Sequence, residues 1–306
     1  MAQAMLRGGG AVGFGAGTAG GGGRATVAGV RVLERPDPGW TEGCVLVPTM
    51  GALHEGHAAL VRQARGIADQ RRAGCRVVAT IFVNPTQFNE ASDFEKYPRT
   101  LEADLEVCEA AGADAVFVPG PGVVYPPDEP VPVPELPAVA DGPGLEDAFR
   151  PGHFAGVCQV VSRLFDLTRP AAGVFGEKDW QQLQVIRAMT LAQGRAIEIV
   201  PGPTVREADG LAMSSRNRRL DPGSRAAAAV IPQAIWRAVA CDRPETAERV
   251  LAAKFDFAGI HPEYAVVRDA ETLMAPCGRP CRVLVAVRVG GVRLIDNAAW
   301  NSGRPT

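Results

Sequence analysis

From about residue 25 to 220, apolar runs too short for helices alternate with stretches of helical period, and this alternation restricts the chain to very few architectures. Cys44-Val-Leu-Val47, Val77-Val-Ala-Thr-Ile-Phe-Val83, Ala115-Val-Phe-Val118, Gly173-Val-Phe175 and Ile197-Glu-Ile-Val200 read as strands. Between them, 58–68, 101–111, 157–167 and 179–193 carry apolar residues at helix spacing. Unbroken apolar runs suit strands buried on both faces, as in a parallel sheet wrapped by helices. The expected class is therefore α/β, with a doubly wound parallel sheet whose ligands bind beyond the carboxyl ends of its strands. A proline-dense stretch, 119–143, reads as a loop. After Leu220 the pattern changes. Helical segments at 226–240 and 245–255 precede strands at 264–268, 282–289 and 292–296, a small α+β unit entered at Asp221-Pro-Gly223.

Three domains are expected: a glycine-rich tail at 1–24, a sheet domain at 25–220 and a small C-terminal lid at 221–306. The tail holds ten of the 35 glycines and little that could pack, so disorder is expected of it. Its Gly15-Ala-Gly-Thr-Ala-Gly20 fits a dinucleotide-binding pattern. No strand precedes it and no helix follows, so the match lacks its required context.

A net charge of -2 gives no electrostatic case for nucleic acid. No apolar run has the length of a membrane span and no signal peptide is expected. Seven cysteines without a paired framework suggest a reducing cytoplasm, and Cys277 and Cys281 lack the partners of a zinc site. No metal site is expected in the protein itself.

The chemistry sits at strand ends. Pro48-Thr-Met-Gly-Ala-Leu-His-Glu-Gly-His57 joins the first of these strands to a helix and holds two of the four histidines. A helix N-terminus offers free N–H groups to anions, and imidazoles there can donate to phosphate oxygens. Paired histidines at a helix start equally suit a metal, although no third ligand stands out. Gly176-Glu-Lys-Asp179 ends another strand. Lys178 would neutralise phosphate, Asp179 would cap the next helix, and Gln182 lies one turn on. Met213-Ser-Ser-Arg216 offers two hydroxyls and a guanidinium. Asn84 and Gln87 close the second strand with neutral polar groups in an apolar wall. Arg150 and His153 put a cation and an imidazole just before a helix. A surface turn or a cap explains any one of these alone. Together they suggest attack on the α-phosphate of ATP by a polar organic substrate.

These blocks, with Tyr97-Pro-Arg-Thr100, Asp209-Gly210 and Leu294-Ile-Asp-Asn297, resemble the pantothenate synthetase (pantoate–β-alanine ligase) family in order and spacing over roughly residues 44–300. The resemblance implies a Rossmann-like domain, a small C-terminal domain covering the site, and a homodimer. It implies joining of pantoate to β-alanine with ATP through pantoyl adenylate, releasing AMP and pyrophosphate, with Mg2+ accompanying ATP. By position, Met50, Gly51, Ala52, Leu53, His54, Glu55, Gly56 and His57 would contact ATP, His57 as proton donor. Gly176, Glu177, Lys178, Asp179, Val205, Met213, Ser214, Ser215 and Arg216 would complete the ATP site. Gln87 and Gln182 would bind pantoate, and Arg150 matches an active-site position. His57, His54, Lys178 and Arg216 are the expected catalytic set.

Some features depart from the family's pattern. Arg35-Pro-Asp-Pro-Gly39 leaves no room for the family's N-terminal helix, Thr86 stands where methionine is common, and Gln159 where threonine is. Asp147 and Phe149 alter the segment before Arg150, and the C-terminal domain is short. Two other functions compete: a nucleotidyltransferase that stops at a nucleotide-linked product, and a binding protein that holds ATP without turnover. The glutamine pair argues against the first and the complete set of His54, His57, Lys178 and Arg216 against the second.

Overall fold

The computed structural model describes residues 26–27, 29–71, 74–88, 94–95 and 97–300. The expected disordered tail and its glycine pattern lie outside these residues. The first sheet contains β1 (Thr26–Val27), β2 (Val30–Leu33), β3 (Val45–Thr49), β4 (Val77–Ile81), β5 (Ala115–Phe117), β6 (Ala172–Gly176) and β7 (Glu198–Gly202). Their order is β1-β2-β5-β4-β3-β6-β7, parallel from β2 to β7. β1 pairs antiparallel with β2 as an edge hairpin, a departure from the purely parallel expectation. Val45, Val77, Val78, Ala79 and Val116 have no exposed surface, as strands covered on both sides require.

Four long helices cover the sheet: α1 (Glu55–Gln70), α2 (Leu101–Ala110), α3 (His153–Thr168) and α4 (Trp180–Ala192). α1 buries Ala58, Val61, Ala64 and Ala68, and this narrow stripe lets it sit close to Val45, Val47 and Val174. α3 and α4 pack on the opposite face around Leu46, Phe117, Phe165 and Phe175. The chain leaves β3 in one direction through β4 and β5, and later extends the other way through β6 and β7. The reversal puts a crevice between the carboxyl ends of β3 and β6, where ligands of such sheets bind.

The second unit holds α5 (Val230–Val239), α6 (Pro244–Phe257) and the antiparallel strands β8 (Pro262–Asp269), β9 (Cys281–Val289) and β10 (Val292–Trp300), in the order β10-β9-β8. Ile231, Ile235, Leu251 and Phe255 pack on Val283, Val285 and Val287. The expected helix at 226–240 is two: Pro222–Ala227, capped by Asp221, and α5.

Two proline-rich stretches hold more structure than expected. Pro121–Val124 and Pro38–Thr41 each form a single helical turn with proline at its start, where the missing N–H costs nothing. At the second, Asp37 accepts from the Gly39 N–H, so a short helical segment does precede β3.

Candidate active site

The turn after β3 is held from below. Gly51 (φ 82°) and Ala52 (φ 51°) adopt left-handed backbone, which glycine tolerates and alanine does not favour. The strain persists because the buried Asp104 of α2 accepts from Ala52 N (3.0 Å) and Leu53 N (2.7 Å). Asp104 thus fixes the Ala52 and Leu53 N–H groups, and the turn that carries Gly51, Ala52 and Leu53 leads directly into His54 on the cleft wall. Glu55 is exposed at the first turn of α1 and paired with Arg62.

His54 is the N-cap of α1, and His57 answers it. His54 Nδ1 accepts from Gly56 N at 3.1 Å, and His57 Nδ1 accepts from His54 N at 3.3 Å. Gly56 is required, because a Cβ there would sit 2.8 Å from the His54 ring. With both Nδ1 atoms accepting, the proton of each neutral ring is on Nε2, available to a ligand. Burial, helped by Lys178 and Arg218, pulls His54 down to about 4. Burial, His54 and Lys178 pull His57 down to about 3. Both rings are thus neutral N–H donors at pH 7, and positive charge in this part of the cleft comes from lysine and arginine.

The Gly176–Asp179 turn is held by the C-terminal sheet. Asn297 Nδ2 donates to the carbonyls of Glu177 (3.0 Å) and Lys178 (2.9 Å). Arg282, stacked on Trp180, donates to the Glu177 carboxylate at 2.9 Å. Glu177 is therefore a strut outside the cleft wall, whereas Lys178 and Asp179 line the cleft. Asp179 occupies the N-cap position of α4 but its side chain makes no capping bond, contrary to the sequence reading.

Arg206 binds Asp296 through both terminal guanidinium nitrogens (2.7 and 2.9 Å), fixing the loop that carries Val205, Met213, Ser214, Ser215 and Arg216 to the cleft. Ser214 Oγ accepts from Arg216 N at 3.2 Å as the cap of a 3-10 turn, which leaves its proton to donate.

Gln87, Arg150 and Gln182 line the same cleft. Asn84, expected to recognise a ligand, also lines this cleft and is bonded to the protein. Its oxygen accepts from Tyr125 at 2.8 Å and its nitrogen donates to the Gly156 carbonyl at 3.2 Å. Glu146 accepts from both terminal nitrogens of Arg293 and from Tyr264. Burial pushes its carboxyl up, and these bonds outweigh that push and hold it down to about 2. Arg150 lies 3.5 Å from Glu146, close to Arg216 and Arg293, and the cleft around it favours an anion.

The wall thus combines Met50, His54, Gly56, His57, Gly176, Lys178, Asp179 and the 205–216 loop with Gln87, Arg150 and Gln182 around about 240 Å³ of open space. Phe82, Val157, Val160, Val161, Leu164 and Phe175 add an apolar side. Sequence reading missed Asp104, Asn297 and Arg206 as supports. An aspartate inside the apolar period of α2 was the one local signal.

A parallel sheet whose switch-point crevice carries a His-x-Gly-His helix start, a strand-end lysine and a Ser-Ser-Arg loop defines a nucleotidyltransferase of the His-x-Gly-His superfamily. The family model described as pantoate-beta-alanine ligase matches residues 26–299, and the chain belongs to that family. It is 49% identical over 261 residues to the pantothenate synthetase of Paracoccus denitrificans, covering 83% of this chain and 89% of that one. It is 49% identical over 271 residues to that of a Nocardioides species, covering 82% and 77%. Among solved structures, the pantothenate synthetase of Thermus thermophilus matches with TM-score 0.77 and 40% identity over 84% of this chain and 93% of that one. A Francisella tularensis pantoate-beta-alanine ligase complexed with β,γ-ATP and β-alanine matches with TM-score 0.68 and 32% identity, covering 86% and 91%.

Proposed function

We propose that this chain, an ATP-dependent ligase of pantoate and β-alanine by family, works by adenylating pantoate in the β3/β6 crevice. A pantoate carboxylate oxygen attacks the α-phosphorus of ATP, and the bond to the bridging oxygen breaks to release pyrophosphate. The nitrogen of β-alanine then attacks the acyl carbon, AMP leaves, and the amine loses its proton. His54 and His57 would donate neutral N–H bonds to phosphate oxygens while Lys178 and Arg216 meet the charge that builds there. Met50, Gly51, Ala52, Leu53, Glu55, Gly56, Gly176, Glu177, Asp179, Val205, Met213, Ser214 and Ser215 would complete the nucleotide site. Gln87, Gln182 and Arg150 would take the organic acid, whose hydroxyls such groups select over analogues lacking them. The observation that carries this reading is that one cleft gathers the phosphate-type donors together with the glutamines and Arg150.

Among the described residues no group of three or more His, Cys, Asp or Glu is arranged to hold a metal. Mg2+ enters best as its ATP complex, which needs one or two carboxylates from a protein, and Asp179 on the cleft wall would serve. When bound it would neutralise phosphate charge. Residues 25–220 would form the catalytic domain and 221–306 the lid, with 1–24 a tail outside both. A homodimer in the cytoplasm is the expected setting, supported by the family and by seven free thiols. No helix of the described residues is long and apolar enough to cross a membrane.

The test is pyrophosphate release from ATP and pantoate without β-alanine. A burst of about one equivalent per site is expected, because a covered adenylate hydrolyses slowly. Strict dependence of pyrophosphate release on β-alanine would overturn the adenylate order.

A further inference from the structure

His153 is buried at the start of α3 and faces the cleft beside Arg150. Its Nε2 lies 3.0 Å from Arg150 Nη1, and its Nδ1 lies 3.2 Å from the Gln87 carbonyl oxygen. A guanidinium can only donate, so Nε2 must accept, and the single proton of the neutral ring must sit on Nδ1, donating to Gln87. Protonating Nε2 would set two donors against each other. Burial and the Arg150 charge hold the ring neutral, pulling it down to about 3.

Its tautomer is therefore the reverse of that at His54 and His57. The difference follows from the partners: those two rings accept from backbone N–H groups through Nδ1, whereas His153 donates to a carbonyl through it. The Gln87 turn is joined to α3 at two further points. Asn84 donates to the Gly156 carbonyl, and a Cβ on Gly156 would sit 2.4 Å from the Thr86 carbonyl oxygen, so the two backbones are in close contact.

We propose that His153 is a positioning residue that bridges the Gln87 turn and the Arg150 guanidinium, setting both groups of the acid side of the cleft in register. The bridge rests on the acid-binding role given above to Gln87 and Arg150. Glu146, the other partner of Arg150, is 3.5 Å away and is itself saturated by Arg293 and Tyr264. The imidazole supplies the shorter and more directional hold. It also keeps the cation cleft-facing without cancelling its charge, which a carboxylate in the same place would do.

The ring's two functions can be separated. His153→Asn keeps a donor where Nδ1 stands and loses the acceptor for Arg150. His153→Gln places an oxygen near the Nε2 position and loses the donor to Gln87. His153→Asn should raise KM for pantoate about tenfold or more, the ordinary cost of a lost charged hydrogen bond, and leave KM for ATP and Tm nearly unchanged. On an Arg150→Ala background the same change should add less than about twofold, because the coupling has already gone. His153→Gln should retain full coupling to Arg150. Multiplicative effects of His153→Asn and Arg150→Ala would overturn the bridge, as would an equal rise in KM for ATP with a falling Tm. If Arg150→Ala alone leaves pantoate KM unchanged, the acid-side reading fails instead. The bridge is then judged by ¹⁵N shifts of the His153 ring. They should show Nδ1–H in the wild type and change in Arg150→Ala, and an Nε2–H ring in the wild type would refute it.

Discussion

The cleft and the seam between the two sheets are built from the same kinds of polar side chain and treat them in opposite ways. At the seam every strong charge is answered. Glu146 takes both terminal nitrogens of Arg293, Asp296 takes both of Arg206, and Glu177 takes Arg282. In the cleft, among the described residues, Lys178 pairs with Asp179 at 3.8 Å, and His54 and His57 are desolvated with no carboxylate bonded to them. Buried charge is stable where protein completes it and costly where nothing does. The seam therefore holds the fold, and the cleft is completed by a ligand carrying phosphate and carboxylate groups.

The largest effect expected is at the seam. Arg293→Leu leaves the buried Glu146 carboxylate short of its main partner and should cost about 3–5 kcal/mol of stability. Urea denaturation measures it, and KM for ATP in the surviving folded enzyme should move far less. A variant as stable as the wild type would show that Tyr264 and Arg150 suffice, and the contrast between the regions would weaken.

At the cleft the pattern should invert. Lys178→Ala should slow adenylate formation about 10²–10³-fold, the cost of one strong charge-stabilising donor, and leave the urea midpoint unchanged. Near-normal pyrophosphate release by the folded variant would remove Lys178 from the chemistry. A large fall in stability would mean that it belongs with the seam.

These two regions also differ in how far the sequence exposes them. The crevice was legible because β3, β4 and β6 are unbroken apolar runs and each functional turn follows directly from its strand or begins its helix. Position along the chain therefore predicts position in space. The seam was not, because its bonds join residues far apart: Arg206 to Asp296, Asn297 to the carbonyls of Glu177 and Lys178, Asp104 to the Ala52 turn. No local period encodes such pairs. The block Leu294-Ile-Asp-Asn297 could be matched to a family but not explained until β10 was seen against the lysine turn. Asn84 is an intermediate case. Its place at a strand end on the cleft is as the sequence suggests, and its bonds to Tyr125 and Gly156 could not be read from it. The helical turn at Pro38–Thr41 has a local signal in Asp37-Pro38, a cap followed by proline at the first helical position, which proline's role as a breaker masks.

A further effect concerns protonation. Folded-state values of about 4 for His54 and about 3 for His57 and His153 lie below the ordinary 6.5. Between those limits the unfolded chain binds more protons than the native one, so stability should rise with pH from about 4 to 6.5 and be lost as pH falls. Glu146, held down to about 2, adds to the same acid loss below the usual carboxylate range. Urea midpoints measured across this range check the slope, and a flat profile would show that the histidines titrate alike in both states.

The central claim is that the histidines of the crevice work as neutral Nε2–H donors while lysine and arginine supply the charge. The chain has four histidines, so ¹⁵N-histidine labelling gives a spectrum assignable by single substitutions. Without bound ATP, His54 and His57 should show the Nε2–H tautomer at pH 7 and begin to titrate only well below pH 6. A midpoint near or above 6.5 for either ring in the free enzyme would make it an imidazolium near neutral pH, and would contradict the account.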